Sequence, residues 1–537
     1  MRVMRVMRGN NDHKIWKFGT IIVMTLVMAV VLQWVQEYRF YAKECEHLWL
    51  NDWMWIAPHF AQPGGSVQLL TSAITQFFCL KWVGAISLAI VFGLVLLIAH
   101  KIQQKLDIAF CFLSLWLFPI GFMFLCNEHT YFNLRGHFAI LLSLSISYWL
   151  IAVYEKVNVA SIAKALSAAV AVLFAYWLVG SMSVIIAGMT IAYVLIRRKD
   201  WILIVVSILS YLLVAGILTT MHFFANLEEA LTPAQYYEWP ASYSTPMSVW
   251  LILPFVPILG SYLSSRLAKT AAKAGWVNPL VMAVSTVLSI AVIADAYSSV
   301  HNSRVYQLRQ DEWNARCGNW DAIISSHKGT REPTAFISYL NLALAKRGML
   351  VQRMTEFNPY ILWSDEAKMY SPVLMVNDEL SRDALKLQSC VFMEWGGEAL
   401  ANAQKSAFEA NFLTPGETDP VELQRLVLTN SLFDTKHTAR KYLRRLARTT
   451  MYAHWAEARL ADESLVDVEV ETLARTLPAN NGFYMKTQVG KMLRQIVMQN
   501  PRNSIASQFY EAYLIQSCDS VAYRHWKEFL NTNNASR

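Results

Sequence analysis

The stretch FGTIIVMTLVMAVVLQWV at residues 18–35 is mostly apolar and contains no charged side chain. A helix of about 20 such residues is long enough to cross the hydrocarbon core of a bilayer. No small-x-small cleavage site follows it, because the next residues are Gln36, Glu37 and Tyr38. Five basic side chains precede it, Arg2, Arg5, Arg8, Lys14 and Lys17. The stretch therefore predicts an uncleaved first membrane-spanning helix.

The composition divides the chain into two regions. The 537 residues are 55% hydrophobic and 16% charged, whereas a soluble protein carries about a quarter charged residues. The shortage of charge is confined to residues 18–299, so we expect a multi-pass membrane domain at 1–300 and a water-soluble domain at 301–537. The net charge of +8 then reflects the orientation of membrane helices, and it does not predict a nucleic-acid partner.

Hydropathy predicts an all-α polytopic bundle of about nine membrane-spanning helices. The expected spans cover residues 18–36, 80–100, 106–126, 136–154, 160–178, 180–196, 201–221, 247–265 and 277–299. The fifth and sixth spans are short and meet at Gly180, which predicts a tight hairpin that crosses the membrane either fully or only in part.

Basic loop residues predict the orientation. If the N-terminus is cytoplasmic, every cytoplasmic loop carries Lys or Arg, and the outer loops are poorer in both. The basic residues are Lys101, Lys105, Lys156, Arg197, Arg198, Lys199, Arg266, Lys269 and Lys273. An odd number of spans then places residues 301–537 in the periplasm, beside the inner membrane of a Gram-negative bacterium.

The first outer loop, at residues 37–79, contains the stretch ECEHLWLNDWMWIAPHFAQPGG at 44–65. Its tryptophans are typical of the membrane–water interface, where an indole buries its ring and keeps its N–H hydrated. We expect a helix on the outer membrane surface, then a turn at 63–65. This helix is either an amphipathic belt segment or one whose acidic side lines a cavity. Because Glu44 and Glu46 lie about 200° apart on a helix, only one of them, with Glu44 favoured, can face a substrate.

Three outer loops supply the candidate chemistry, since the centres of the spans are almost free of ionisable residues. That shortage argues against ion-coupled transport, and the sequence has no GxxxxGK[ST], HExxH or GxSxG motif. A surface carboxylate can act as a general base or hold a divalent metal, and an arginine can bind phosphate. The candidate catalytic residues are Glu44, Glu46 and Asp52, and the candidate substrate-binding residues are His47, His129, Arg135 and His137.

The alternative is that these side chains are solvated loop residues. The histidines lack tight ligand spacing, so a possible divalent metal site has little support. The last of these three loops, at about residues 222–247, carries His222, Glu228, Glu229 and Glu238.

Amphipathic patterns predict an all-helical domain at 301–537. PTAFISYLNLALAKRG at 333–348 ends at glycine, a usual helix stop signal, and residues 421–449 divide at Asp434 into two helices. These pairs resemble tetratricopeptide-like hairpins. Such domains bind peptides or partner proteins, or they stabilise the protein beside them.

Two resemblances follow. ECEHLW, the PGG at 63–65, TQFF at 75–78, Gly84 and the hairpins after the last span resemble a family of uncharacterised polytopic inner-membrane proteins of the Bacteroidota. The membrane half resembles the GT-C glycosyltransferases in layout, which implies a polyprenyl-phosphate sugar donor and an acidic role for Glu44, Glu46 or Asp52. The first loop departs from that class, because it has no paired-acid motif, and the chain has no WWDYG.

These observations give two hypotheses. The first is a GT-C-like transferase that uses a lipid-phosphate-linked sugar at the outer membrane face to modify an envelope glycan or protein. The second is a non-catalytic membrane anchor that presents residues 301–537 to an envelope protein partner. In both, the protein contacts membrane lipid.

We predict that a reporter active only in the periplasm works when it is fused after Arg537, because the alternation of basic loops places the N-terminus inside. The measurement is reporter activity in intact cells, with a cytoplasm-only reporter fused at the same position as the control. Activity of the cytoplasmic reporter instead would show that the number of spans is even.

Overall fold

The computed structural model describes residues 2–46, 48–108, 134–156, 161–197, 200–236, 252–271, 304–327, 334–357, 378–414, 419–462, 464–477 and 489–535, and most of 283–298. Within these ranges the regular elements are all helices, and no strand occurs. The predicted all-α fold class is therefore confirmed for the part of the chain that the structure describes.

The chain divides into two compact units. The membrane unit comprises Met1–Phe40 and Asp52–Asn302, and the C-terminal unit comprises Tyr41–Asn51 and Ser303–Arg537. We expected all of residues 37–79 to form an outer loop of the membrane domain. The structure instead assigns Tyr41–Asn51 to the C-terminal unit, because the charged and aromatic side chains of this segment have their partners there.

Within the described residues the membrane unit contains ten helices with continuous bounds, together with a shorter apolar helix at Thr286–Asp295. The ten are α1 Arg2–Glu46, which continues into the C-terminal unit, α2 Trp53–Phe60, α3 Gly65–Thr75, α4 Val83–Lys105, α5 Leu134–Lys156, α6 Ser161–Val179, α7 Val184–Arg197, α8 Ile202–Thr220, α9 Leu227–Leu231 and α10 Phe255–Ala271. Short 3₁₀ helices, Gly180–Ser183 and Pro233–Tyr236, follow α6 and α9. The surface helix expected over 44–65 is three pieces: the end of α1, then α2, then the start of α3.

Five described segments are long and apolar enough to cross a membrane. They are Phe18–Glu46, Val83–Lys105, Leu134–Glu155, Ile162–Arg197 and Ile202–Thr220. The expected third span lies mostly outside the described residues, and the expected eighth and ninth lie partly outside them. The total of nine spans therefore stays a prediction, while the membrane character of the unit is supported.

Ion pairs define one end of this helical bundle, here called the basic end. Glu155 at the end of α5 accepts from Lys105 at the end of α4, with Nζ and Oε2 2.8 Å apart. Arg197 at the end of α7 lies 3.4 Å from the same carboxylate. Lys164 near the start of α6 lies 4.0 Å from Asp200, just before α8. The predicted cytoplasmic loops around these residues therefore meet at one end.

The chain reverses at Gly180–Ser183, as predicted from the junction of the fifth and sixth apolar runs at Gly180. The start of α6 and the end of α7 both lie at the basic end, so the 3₁₀ turn between them lies at the opposite end, here called the polar end. Gly180 has φ of 57°, which an L side chain rarely adopts. At about 1.5 Å per residue, the 14 residues of α7 are shorter than the hydrocarbon core of a typical bilayer.

The C-terminal unit is a succession of helical hairpins. Its helices are α11 Arg304–Arg316, α12 Trp320–Ser326, α13 Thr334–Lys346, α14 Leu350–Phe357, α15 Asp378–Trp395, α16 Ala399–Leu413, α17 Pro420–Leu432, α18 Lys436–Leu446, α19 Ala453–Leu460, α20 Val468–Ala474, α21 Val489–Gln499, α22 Ser504–Gln516 and α23 Ser520–Ala535. Neighbours in sequence pack against each other, above all α15, α16, α17 and α18 in succession. A core around Trp395, Phe509 and Trp526 joins α15 to α22 and α23.

One turn geometry recurs between these helices. Gly318, Gly348, Asp434 and Cys518 all have a left-handed φ, between 54° and 71°. The N–H of the following residue bonds to the carbonyl five residues earlier, as in Asn319 N to Asn314 O at 2.8 Å. This is the Schellman ending of a helix, which satisfies a terminal carbonyl and turns the chain sharply. The helix boundaries predicted at Gly348 and Asp434 are therefore confirmed.

Candidate functional site

Glu44, the favoured catalytic acid, is fully buried in the C-terminal unit. Its Oε1 accepts a hydrogen bond of 2.6 Å from the hydroxyl of Tyr452. Its Oε2 lies 3.4 Å from Nη1 of Arg316. Both oxygens of the carboxylate thus have protein partners, and the side chain is 0% exposed.

Glu46 is held in the same way. Its Oε2 pairs with Nζ of Lys43 at 2.5 Å, and its Oε1 pairs with Nη2 of Arg382 at 2.7 Å. Burial alone would lower the pKa of Arg382, but the carboxylates of Glu46 and Asp383 outweigh it and raise the pKa. Each of these buried groups therefore has an oppositely charged partner nearby, as burial requires.

Apolar and backbone contacts also hold Tyr41–Asn51 inside the C-terminal unit. Tyr41 stacks on Trp313, with ring centroids 3.8 Å apart and planes inclined by 14°. Leu48 and Leu50 are buried. The N–H of Asn51 donates to the carbonyl of Arg448 at 2.7 Å. The segment is therefore an interior part of the C-terminal unit, and this placement favours a structural role for Glu44 and Glu46.

A second layer of buried charge lies among the helices of the C-terminal unit. Lys386 bridges Glu312 and Asp419, at 2.5 Å and 3.1 Å. Glu422 pairs with Arg425 at 2.5 Å and accepts from the hydroxyl of Ser389 at 2.7 Å. Burial, with a contribution from Asp419, raises the pKa of Glu422 to about 7.

The remaining candidates from the sequence lie in the membrane unit or outside the described residues. Asp52 caps α2, because its Oδ1 accepts from the N–H of Met54 at 3.1 Å. His137 is buried in α5, with Nδ1 3.2 Å from the carbonyl of Leu134. His47 and His129 lie outside the described residues. The structure thus separates Glu44 and Glu46 from Asp52 and His137 by unit, and of the described candidates it places only Arg135 in a pocket.

That pocket opens at the polar end of the membrane unit and has a volume of about 340 Å³. Residues from each of the three loop regions that the sequence predicts to be outer line it. It is lined by Gln62, Pro63, Gly64, Gly65, Gln68, Arg135, His222, Phe223, Phe224, Glu229 and Tyr236. We call this the polar pocket, since a guanidinium, a carboxylate, an imidazole and two amides face one small volume.

The turn between α2 and α3 forms one wall of the polar pocket. Gly64 has φ of 77°, and its N–H donates to the carbonyl of Trp177 at 2.9 Å. A Cβ on Gly65 would lie 1.8 Å from the carbonyl oxygen of His59, so only glycine fits this close approach. In addition, the indole N–H of Trp177 donates a hydrogen bond to the carbonyl of Phe60 at 3.1 Å. The wall is therefore fastened to the last turn of α6.

Tyrosine hydroxyls fasten the opposite wall. Tyr176 donates to the carbonyl of Ala230 at 2.6 Å, and Tyr211 donates to that of Leu231 at 2.9 Å. Tyr236 donates to the carbonyl of Val179 at 2.5 Å. These bonds attach α9 and the 3₁₀ helix after it to the ends of the spans.

The polar groups themselves are set by local structure. Asn226 caps α9 by accepting from the N–H of Glu229 at 2.8 Å, and Glu229 Oε2 accepts from the N–H of Ala225 at 3.0 Å. Arg135, in the first turn of α5, lies 3.5 Å from Oε1 of Gln68. His222 adopts a left-handed φ of 61° just after α8. The arrangement can bind an anion through Arg135 and exchange a proton through Glu229 or His222.

The sequence identified Arg135 as a binding residue, but it gave no reason to select Glu229 or His222 above other loop residues, and it missed Gln62 and Gln68. The available signal was the glycine pair at 64–65, which marks a close backbone approach. Within the described residues no group of three His, Cys, Asp or Glu side chains is arranged to hold a metal ion.

We predict that Glu46→Gln lowers the free energy of unfolding of the C-terminal unit by about 3 kcal/mol, because Lys43 and Arg382 are buried and both lose the charge of Glu46, which leaves Asp383 as the carboxylate beside Arg382. The matched control is Glu409→Gln, which removes the exposed pair with Lys405 and costs about 0.5 kcal/mol or less. Denaturant titration of the full-length protein in detergent measures both. Equal losses in the two variants would contradict the buried cluster.

A second prediction concerns pH. Between pH 4.5 and about 7 the folded state keeps a proton on Glu422 that the unfolded state has lost, so this contribution to stability falls as pH rises. The fall is about 1.4 kcal/mol per pH unit within that window. Glu422→Gln removes it, so the melting temperature of the wild type relative to Glu422→Gln decreases from pH 5 to pH 8. A difference that is constant or grows over that range would show that the pKa of Glu422 is not raised.

Comparison with known proteins adds one finding. No curated protein and no solved structure matches the chain. Residues 13–522, nearly the whole chain, match the family of unknown function DUF6057. The match spans both units, and on this evidence the chain belongs to the DUF6057 family.

Proposed function

We propose that this protein is a membrane transferase with a GT-C-like layout, which binds a lipid-phosphate-linked sugar in the polar pocket and modifies an envelope glycan or protein. The observation that supports this proposal is the convergence of Arg135, His222 and Glu229 from separate loops on one pocket. The proposal moves the chemistry away from the buried acids Glu44 and Glu46.

Arg135 has the chemistry to bind the phosphate of the donor, because a guanidinium matches the geometry of two phosphate oxygens. The hydroxyl of the acceptor attacks the sugar carbon that carries the phosphate. The carbon–oxygen bond to the phosphate breaks, and the lipid phosphate leaves with the electron pair. Glu229 accepts the proton of the hydroxyl as a general base. Gln62 and Gln68 provide amide groups for hydrogen bonds to the sugar.

The orientation belongs to the same proposal. The polar end faces the periplasm and the basic end faces the cytoplasm, because Lys105 and Arg197 lie at the basic end and the positive-inside rule favours such residues in the cytoplasm. The protein is then an inner-membrane protein, and the C-terminal helical hairpins form a tetratricopeptide-like domain in the periplasm. This topology brings the polar pocket to the face where lipid-linked sugars are used in the envelope.

A second candidate function is a non-catalytic membrane anchor, with the hairpins of residues 301–537 as the binding module for an envelope protein. The observation that favours it is the burial of Tyr41–Asn51 among those hairpins, since the residues that follow the membrane part of the chain are held inside the C-terminal unit by Lys43, Glu44 and Glu46. An anchor needs this attachment but does not need Arg135 or Glu229.

Substitutions in the polar pocket separate the two candidates. We predict that Arg135→Gln weakens the binding of a polyprenyl phosphate by about tenfold or more, equivalent to the loss of about 1.4 kcal/mol. Glu229→Gln keeps binding and abolishes the envelope phenotype restored by the wild-type gene in a deletion strain. Binding is measured by titration of the purified protein in detergent, and protein abundance is measured in membranes.

The matched control is Glu228→Gln, which changes the neighbouring acid on α9, an exposed side chain that does not line the pocket. It retains wild-type binding and phenotype. If Arg135→Gln and Glu229→Gln are present at normal abundance and behave like Glu228→Gln, the pocket is not the site, and the anchor is the better account.

A further inference from the structure

The helix α2, with the sequence WMWIAPHF, is apolar and yet none of its residues is buried. Trp53 is 71% exposed, Met54 is 82% exposed and Phe60 is 51% exposed. Large apolar side chains in one short helix would cost free energy in water, at about 25 cal/mol for each Å². A patch of this kind marks a surface that another phase or molecule covers.

The position of α2 in the membrane unit identifies what covers it. Its end is fixed to the last turn of α6, since the indole of Trp177 donates to the carbonyl of Phe60 and Gly64 donates to the carbonyl of Trp177. The segment Ile162–Arg197 that contains Trp177 is apolar enough to cross a membrane, and the chain reverses just after α6. The end of α2 therefore lies level with the end of a membrane-crossing helix, which is the level of the bilayer interface.

Other exposed apolar residues lie at the same end of the bundle. Leu80 and Trp82 precede α4, which runs from the polar end to the basic end, and they are 47% and 41% exposed. Leu70 on α3 is also exposed. Tryptophan is enriched where membrane helices leave the hydrocarbon, so the exposure of α2 continues a wider apolar rim.

We propose that α2 lies in the plane of the membrane surface, with bilayer lipid covering Trp53, Met54 and Phe60. The residues that follow α2, from Gln62 to Gly65, line the polar pocket, so the helix places lipid headgroups next to the pocket mouth. Such in-plane helices bury their apolar face at the boundary between headgroups and acyl chains. The inference goes beyond the proposed transferase function and does not depend on it.

A photoreactive amino acid at position 54 tests this placement in the full-length protein, reconstituted in nanodiscs of phosphatidylethanolamine and phosphatidylglycerol. Two reference positions share an exposure of 59%: Ile22 in the apolar part of α1 and Val521 in the C-terminal unit. Because α2 buries no residue, the substitution at Met54 removes no packing contact. The readout is the yield of lipid adduct by mass spectrometry at each position.

We expect the lipid adduct at position 54 to reach about a third or more of the yield at position 22, and at least about ten times the yield at position 521. A yield at position 54 no higher than at position 521 would overturn the proposal. An adduct between two protein chains at position 54 would also overturn it, because a second copy would then cover α2. Neither result would bear on the binding of phosphate by Arg135.

Discussion

The burial of charge at the end of α1 is the constraint on which the organisation of the C-terminal unit depends. A carboxylate or ammonium group can leave water only if an opposite charge and hydrogen bonds replace it. Lys43, Glu44 and Glu46 find those partners in Arg316, Arg382 and Tyr452. The residues from Tyr41 on, which follow the kink of α1 at Gln36, therefore belong to the C-terminal unit. Glu44 and Glu46, which the sequence predicts as catalytic acids, therefore have both carboxylate oxygens bonded to protein groups.

The membrane unit distributes its polar groups differently. Ion pairs around Glu155 gather the helix ends at the basic end, and the polar pocket gathers loop residues at the other. Tyrosine hydroxyls and the glycine pair at 64–65 fix the pocket walls to the ends of the spans, so the positions of Arg135 and Glu229 are set by rigid helices. A binding site requires this kind of support, because a group held by packed helices keeps its direction toward a ligand.

The sequence predicted features that depend on local pattern. The apolar runs, the reversal at Gly180 and the helix boundaries at Gly348 and Asp434 are properties of neighbouring residues. The sequence did not predict contacts between residues that are distant along the chain. Glu44 bonds to Tyr452, 408 positions away, and no local pattern in the sequence indicates that pairing. The same limit explains why the sequence predicts Glu46 as a site residue, whereas it presents Glu229 as one loop acid among several. For the site, only Arg135 was predicted as a binding residue and also lines the pocket.

Hydrogen exchange of the full-length protein in lipid nanodiscs, with and without a polyprenyl phosphate, tests the central claim that the first-loop acids are structural and the polar pocket is the site. The account predicts strong protection of residues 41–50 in both states, since they lie inside the C-terminal unit. It also predicts that protection increases with ligand in residues 62–68 and 222–229, which contribute to the pocket walls. Protection of 41–50 that is weak without ligand and rises when it binds, with no change in the pocket walls, would contradict the account.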